Sequence, residues 1–276
     1  MSEFKVEKDT LEIYPGEYCI RDYYLDNYYL IVGEEKACLI DTGAGIGDPW
    51  LEIRNITDKP VMVLLTHGHL DHFGNSHHFD EVYMSEKDNY WIEKHYGKTE
   101  LINWFIETRG PVRFPGEGNV EGMKSLVPET LPESFSYINI NDGDEWDLGG
   151  VTIHAIHTPG HTPGSMSFLS SRSGYLYAGD ALNKGIIIPN KPEGTRAEIL
   201  EMAESLRNLT NYYDEIDKVC MGHDGPFINK QIIRDYLVLC EGLIDGRIVG
   251  EYEEEEIRAG KVVRRGFAEF WYEADR

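Results

Sequence analysis

The sequence predicts an α/β fold in which two mixed β-sheets pack face to face and carry helices on their outer faces. Three observations predict it. Short apolar runs alternate with longer stretches whose apolar residues recur at helical spacing. The strand-like runs form two groups, one in each half of the chain, and each group needs helices to cover its outer face. The chain has 276 residues, 41% of them apolar, which suffices for a substantial core.

Taken in order, residues 27–33 (NYYLIVG) and 36–41 (KACLID) read as a hairpin joined through Gly33-Glu34-Glu35. Asp48 as N-cap, with Pro49 at the first helical position, starts a helix through Asn55. Residues 61–65 (VMVLL) form a buried strand and 81–84 (EVYM) another. From Lys87 to Leu131 the rhythm breaks into aromatic-rich sequence followed by glycine and proline, which predicts a helical insertion over about residues 87–131. Gly110-Pro111 and Pro115-Gly116 are expected to end any helix there. The insertion reads equally as a lid or as a packing cap.

The second half repeats the logic, with strands at 151–157, 165–170 and 174–180. Beyond Thr195, Ile199, Met202, Ala203, Leu206 and Leu209 mark the buried face of a helix. A strand at 218–221 precedes a helix with Ile233, Tyr236, Leu237, Cys240 and Leu243 on one side. Residues 262–273 (VVRRGFAEFWYE) read either as a last strand or as a dimer contact, so a homo-oligomer stays open. The whole chain, 1–276, reads as one domain.

The formal net charge of −23, from 26 basic and 49 acidic residues, repels phosphate backbones and argues against a nucleic-acid partner. The acidic run at 251–256 reads as a solubilising surface. No apolar run approaches the roughly 18 residues a membrane span needs, and MSEFKVEKDT has no apolar targeting core. Cys19, Cys38, Cys220 and Cys240 are scattered without a C-x-x-C pair, which predicts reduced core thiols and a cytoplasmic location.

One stretch carries most of the chemistry. VLLTHGHLDHFGN places His67, His69, Asp71 and His72 directly after a buried strand. In an extended segment, side chains at i and i+2 point the same way, so His67 and His69 can converge on one ion. Asp71 and His72 lie where the chain turns and can aim at a second. These nitrogen and oxygen donors suit zinc, and also iron or manganese. Further along, HTPGHTPGS carries His161, YAGDAL carries Asp180, and VCMGHDGP carries His223, each on a connection leaving a strand. Loops on a rigid sheet are where precise sites are usually built.

Taken together, DTG at 41–43, THGHLDH at 66–72, HTPGHTPGS at 157–165, GD at 179–180 and GH at 222–223 resemble the motifs of the metallo-β-lactamase superfamily, in that family's order and over most of the chain. The resemblance implies an αββα fold and two divalent metal ions, zinc first. It assigns His67, His69 and His161 to the first ion, Asp71, His72 and His223 to the second, and Asp180 to a bridge between them. It makes Asp41 the acceptor that holds a ligand histidine's other N–H, against the plain alternative of a turn aspartate. His157 is expected to stand outside the ligand set, and His77, His78, His95 and His154 to be structural.

The resemblance further implies a dinuclear metal-dependent hydrolase that cleaves an ester, lactone, thioester or related small-molecule bond with a metal-bridging hydroxide, Asp71 orienting the nucleophile and carrying its proton. Asp180 stands where the most familiar zinc β-lactamases have cysteine. Asn183 stands where acyl-homoserine lactonases of this fold carry tyrosine, and Asp224-Gly225 follows the last histidine where glyoxalase II enzymes have Glu-Tyr. Tyr23, Tyr24, Trp91, Trp104 and Asn183 are the expected lining of a substrate pocket, with part of the aromatic set instead serving the core. The alternative is an iron-dependent persulfide dioxygenase, which shares the fold with a single iron on positions like His67, His161 and Asp180. The complete second set of Asp71, His72 and His223 favours the hydrolase.

Overall fold

In the third strand of the chain, Tyr28 and Leu30 pack into one apolar cluster and Tyr29 and Ile31 into another on the opposite face. A strand with an apolar run on both faces, as over 28–32, is what a sheet buried on both faces requires. The computed structural model describes residues 8–113, 118–189, 195–255 and 258–275.

The first sheet runs in chain order through β1 (Asp9–Tyr14), β2 (Glu17–Asp22), β3 (Asp26–Val32), β4 (Ala37–Ile40), β5 (Val61–Leu64), β6 (Val82–Met84) and β7 (Ile138–Asn139). Its first four strands are antiparallel neighbours, whereas β4 to β7 pair in parallel. Helices α1 (Trp50–Ile56) and α2 (Leu70–Phe73) make two of the parallel crossovers. The crossover before β7 carries α3 (Asn89–His95), α4 (Thr99–Arg113) and α5 (Gly118–Lys124).

The second sheet contains β8 (Glu145–Asp147), β9 (Thr152–His157), β10 (Met166–Ser170), β11 (Tyr175–Gly179), β13 (Lys218–Met221) and β14 (Ile228–Asn229), with β11 and β13 parallel. Cys19, Tyr29, Ile31, Ile40 and Leu64 of the first sheet meet Ile153, Ala155, Phe168, Tyr177 and Cys220 of the second in one buried layer. Outside it, α6 (Arg196–Leu209) and α7 (Gln231–Asp245) cover the second sheet through Ile199, Met202, Leu206, Ile233 and Tyr236. The layer order is helix, sheet, sheet, helix, as the sequence predicts. All four cysteines are free and buried.

The structure adds a third sheet of four strands, β12 (Gly185–Pro189), β17 (Ala268–Asp275), β16 (Arg258–Arg265) and β15 (Glu251–Glu255) in spatial order. Val263, Ala268, Phe270 and Tyr272 join the cluster around α6 and α7, so the C-terminal hairpin packs one face against the chain's own helices. The acidic run is solvent-facing as expected, and over 251–255 it is also a strand, whose Glu253 accepts from both Nη atoms of Arg264, at 2.7 and 2.9 Å. Glu256 lies outside the described residues.

Asp48 caps the first helix as expected: its Oδ1 accepts from Trp50 N at 2.9 Å and Pro49 is already helical at φ −67° and ψ −20°, ahead of α1. One local expectation is corrected. Helix α4 does not end at Gly110-Pro111 but runs to Arg113. Gly110 is buried against α5, where an added Cβ would lie 3.1 Å from Met123 Cε and 3.3 Å from Val120 Cγ2, so it marks a close helix contact instead of a stop. Pro115-Gly116 lies outside the described residues. No helix among the described residues is long and apolar enough to cross a membrane.

Candidate metal centre

The C-terminal ends of β4, β5, β11 and β13 meet at one end of the sandwich and deliver Asp41, His67, Asp180 and His223 to the same place. Connections leaving parallel strands are where α/β proteins build sites. His69, Asp71 and His72 follow β5 as it turns into α2, and His161 comes from the loop between β9 and β10.

His67 Nε2 and His161 Nε2 lie 3.1 and 2.9 Å from His69 Nδ1. Nitrogens at zinc–ligand distances of about 2.0–2.1 Å in a tetrahedral set stand roughly 3.3 Å apart. The second group is Asp71, His72 and His223, and Asp180 stands between the two, with Oδ2 3.6 Å from His161 Nε2 and 3.2 Å from His223 Nε2. Asp180 Oδ1 is 3.5 Å from His72 Nε2, and Asp71 Oδ2 is 3.4 Å from His223 Nε2. His72 Nε2 is buried and makes no hydrogen bond among the described residues. A buried nitrogen so placed, facing two carboxylates, fits a cation between them.

Charge follows position. Burial pulls the imidazoles of His67 and His161 down, and His69 to about 3, so all three present neutral nitrogens. Burial also opposes charge on His72, but the carboxylates of Asp41, Asp180 and Asp71 outweigh it and raise its pKa well above the ordinary value. Burial favours the neutral acids at Asp71 and Asp180, yet the imidazoles of His72 and His223 overcome it and lower both.

Outer contacts fix these candidate ligands. Asp41 Oδ1 accepts from Thr66 N, and its Oδ2 accepts from Thr66 Oγ1 and lies 2.8 Å from His72 Nδ1. An N–H donated there leaves His72 Nε2 free for metal. His223 Nδ1 lies 2.9 Å from Leu25 O, which also accepts from Arg113 of α4. Gly222 has no room for a side chain: a Cβ would meet Asp180 Oδ1 at 2.3 Å and His72 Cε1 at 2.8 Å.

Residues 24–223 match the model of the metallo-beta-lactamase superfamily. The chain belongs to that superfamily. It is accordingly a metal-dependent hydrolase, with relatives named as hydrolases. The acyl-coenzyme A thioesterase MBLAC2 of Homo sapiens is 25% identical over 220 residues, 75% of this chain and 76% of that protein. The hydroxyacylglutathione hydrolase GloC of Haemophilus influenzae is 28% identical over 220 residues, 75% of this chain and 95% of its own length. The fold is shared with the metallo-beta-lactamase family protein TTHA1429 of Thermus thermophilus, at TM-score 0.55 and 21% identity over 86% of this chain and 80% of that one.

Within this superfamily member the expected pocket residues divide. Trp91 is half-buried with its ring centroid 5.0 Å from that of His69, and Tyr24 and Trp104 are exposed. Tyr23 instead packs into the cluster of Leu25, Ile46, Ile102 and Met123. Asn183 is buried, donating to Asp180 Oδ1 at 2.7 Å and accepting from His223 N, so it faces the ligands and not an open pocket. His157 stands outside the cluster, 3.0 Å from Pro163 O through Nε2. Sequence reasoning missed Thr66, Arg113 and Asp88. Only Thr66, adjoining the histidine motif, offered a signal.

Proposed function

We propose that this superfamily member is a dinuclear hydrolase that cleaves an acyl bond in a small molecule, with thioesters ahead of esters and lactones. The observation that carries this reading is the pair of ligand sets that share Asp180 as their common wall. Two divalent ions, zinc first, held there would supply a Lewis acid and a hydroxide nucleophile at neutral pH, since metal binding lowers the pKa of water to roughly 7.

The chain's own residues do the rest. Asp71 Oδ2, on the rim of the second set, is placed to orient the attacking water and hold its proton until the leaving group takes it. Trp91 gives an apolar wall beside His69 against which an acyl group can pack, and Tyr24 and Trp104 present exposed aromatic surface. The helices α3, α4 and α5 would then be the mouth of the site. Thioesters lead because one relative is named for acyl-coenzyme A and another for hydroxyacylglutathione, both acylated small molecules. Four buried free thiols fit a reducing, cytoplasmic setting.

The test is hydrolysis of a panel of acyl-coenzyme A thioesters, lactones and aryl esters by zinc-loaded protein, beside Asp180→Ala. Thioester cleavage that Asp180→Ala abolishes supports the reading. Cleavage that survives in Asp180→Ala, or a loaded protein inert on the whole panel, overturns it.

A further inference from the structure

Asp88 is fully buried, yet it belongs to neither ligand set. Its Oδ2 accepts from Gly68 N at 2.9 Å and from Thr162 Oγ1 at 2.6 Å, and its Oδ1 accepts from Gly164 N at 2.8 Å. Gly68 sits between His67 and His69, and Thr162 follows His161 directly. One carboxylate therefore ties together the two loops that carry all three residues of the first set.

The fit is close on both sides. A Cβ on Gly68 would lie 2.8 Å from Asp88 Cβ, and one on Gly164 would lie 2.6 Å from Asp88 Cγ. These three donors, two backbone N–H groups and one hydroxyl, engage both carboxyl oxygens of a single side chain. The same residue opens the 87–131 segment, and Trp91, one turn on, packs over Gly68 and edge-on to His69.

We infer that Asp88 is a positioning residue for the first metal position: it sets the spacing of His67, His69 and His161 by clamping the Gly68 and Thr162–Gly164 backbones, and Asp41 does the corresponding work for His72. This inference rests on the reading of the cluster as a metal centre. The division of labour is its content. Loss of Asp88 weakens the first ion and spares the second.

The experiment reads each position alone. In a His223→Ala background the first set is complete and the second broken, whereas in His161→Ala the reverse holds. Zinc affinity of the metal-free proteins is measured by chelator competition with and without Asp88→Ala, alongside circular dichroism and the Tm of each metal-free form. The expected result is a loss of about 10- to 100-fold in the His223→Ala background, the range for partners that orient ligands, with no change in the His161→Ala background. Thr162→Val, which removes one of the three donors, should shift affinity the same way by less and decides the matter if Asp88→Ala does not fold. Equal losses in both backgrounds, or a lower Tm with affinity unchanged, make Asp88 a merely structural tie and overturn the inference. Unmutated protein that binds no zinc overturns the metal centre itself, a separate failure.

Discussion

Asp41 holds its carboxylate 2.8 Å from His72 Nδ1 while its own backbone sits at φ 63°, a left-handed conformation that Asp tolerates better than most residues. The turn after β4 thus aims an acceptor at the back of a ligand and fixes which imidazole nitrogen faces the centre. Asp41→Ala should lower zinc affinity by about 10- to 100-fold, read by chelator competition. Unchanged affinity would mean that His72 is oriented without it.

Asp180 and His69 sit among the converging ligand atoms. Alanine at either position should cut kcat by more than the roughly 100-fold typical of outer partners, with a native circular dichroism spectrum. Activity on a validated substrate that survives in both variants would show that the ligands are misassigned.

Gly222 offers a steric probe that removes no ligand. In Gly222→Ala the new methyl would stand 2.3 Å from Asp180 Oδ1, so Asp180 or His72 must move. The expected outcome is a folded protein with fewer bound ions and lower kcat. Full metal content would show that the strand ends can yield.

The metal-free protein should be acid-sensitive in a particular window. His69 falls to about 3 through burial, against about 6.5 when unfolded. Between those values the unfolded chain binds more protons, so stability falls as pH drops from about 6.5 toward 3. His72, raised by Asp41, Asp180 and Asp71, acts oppositely: its contribution is present at low pH and lost as pH rises through its raised value. Denaturant midpoints of the metal-free protein should therefore decline on both sides of a maximum. A flat profile across this range would contradict the charge states described.

The cluster of candidate ligands was legible because its residues crowd the ends of apolar strands, and a chain rarely places His67, His69, Asp71 and His72 together for packing alone. Asp88 was not legible: its partners Thr162 and Gly164 lie 74 and 76 residues away, and a single aspartate ahead of a helix reads as a cap. The third sheet was hidden for a different reason. Glutamate is depleted in strands, so the exposed run at 251–255 gives no strand signal although it pairs with β16. Tyr23 was expected in a pocket as an aromatic, and Asn183 as the position where lactonases of this fold carry tyrosine, but packing and Asp180 claim them first. Gly110-Pro111 reads as a stop until α5 is known to press against Gly110.

The most direct test of the account is the metal content per chain of protein purified without added metal, measured by inductively coupled plasma mass spectrometry. The two ligand sets sharing Asp180 predict about two zinc or manganese ions per chain. A single iron per chain would contradict the dinuclear hydrolase and point to a mononuclear oxygenase.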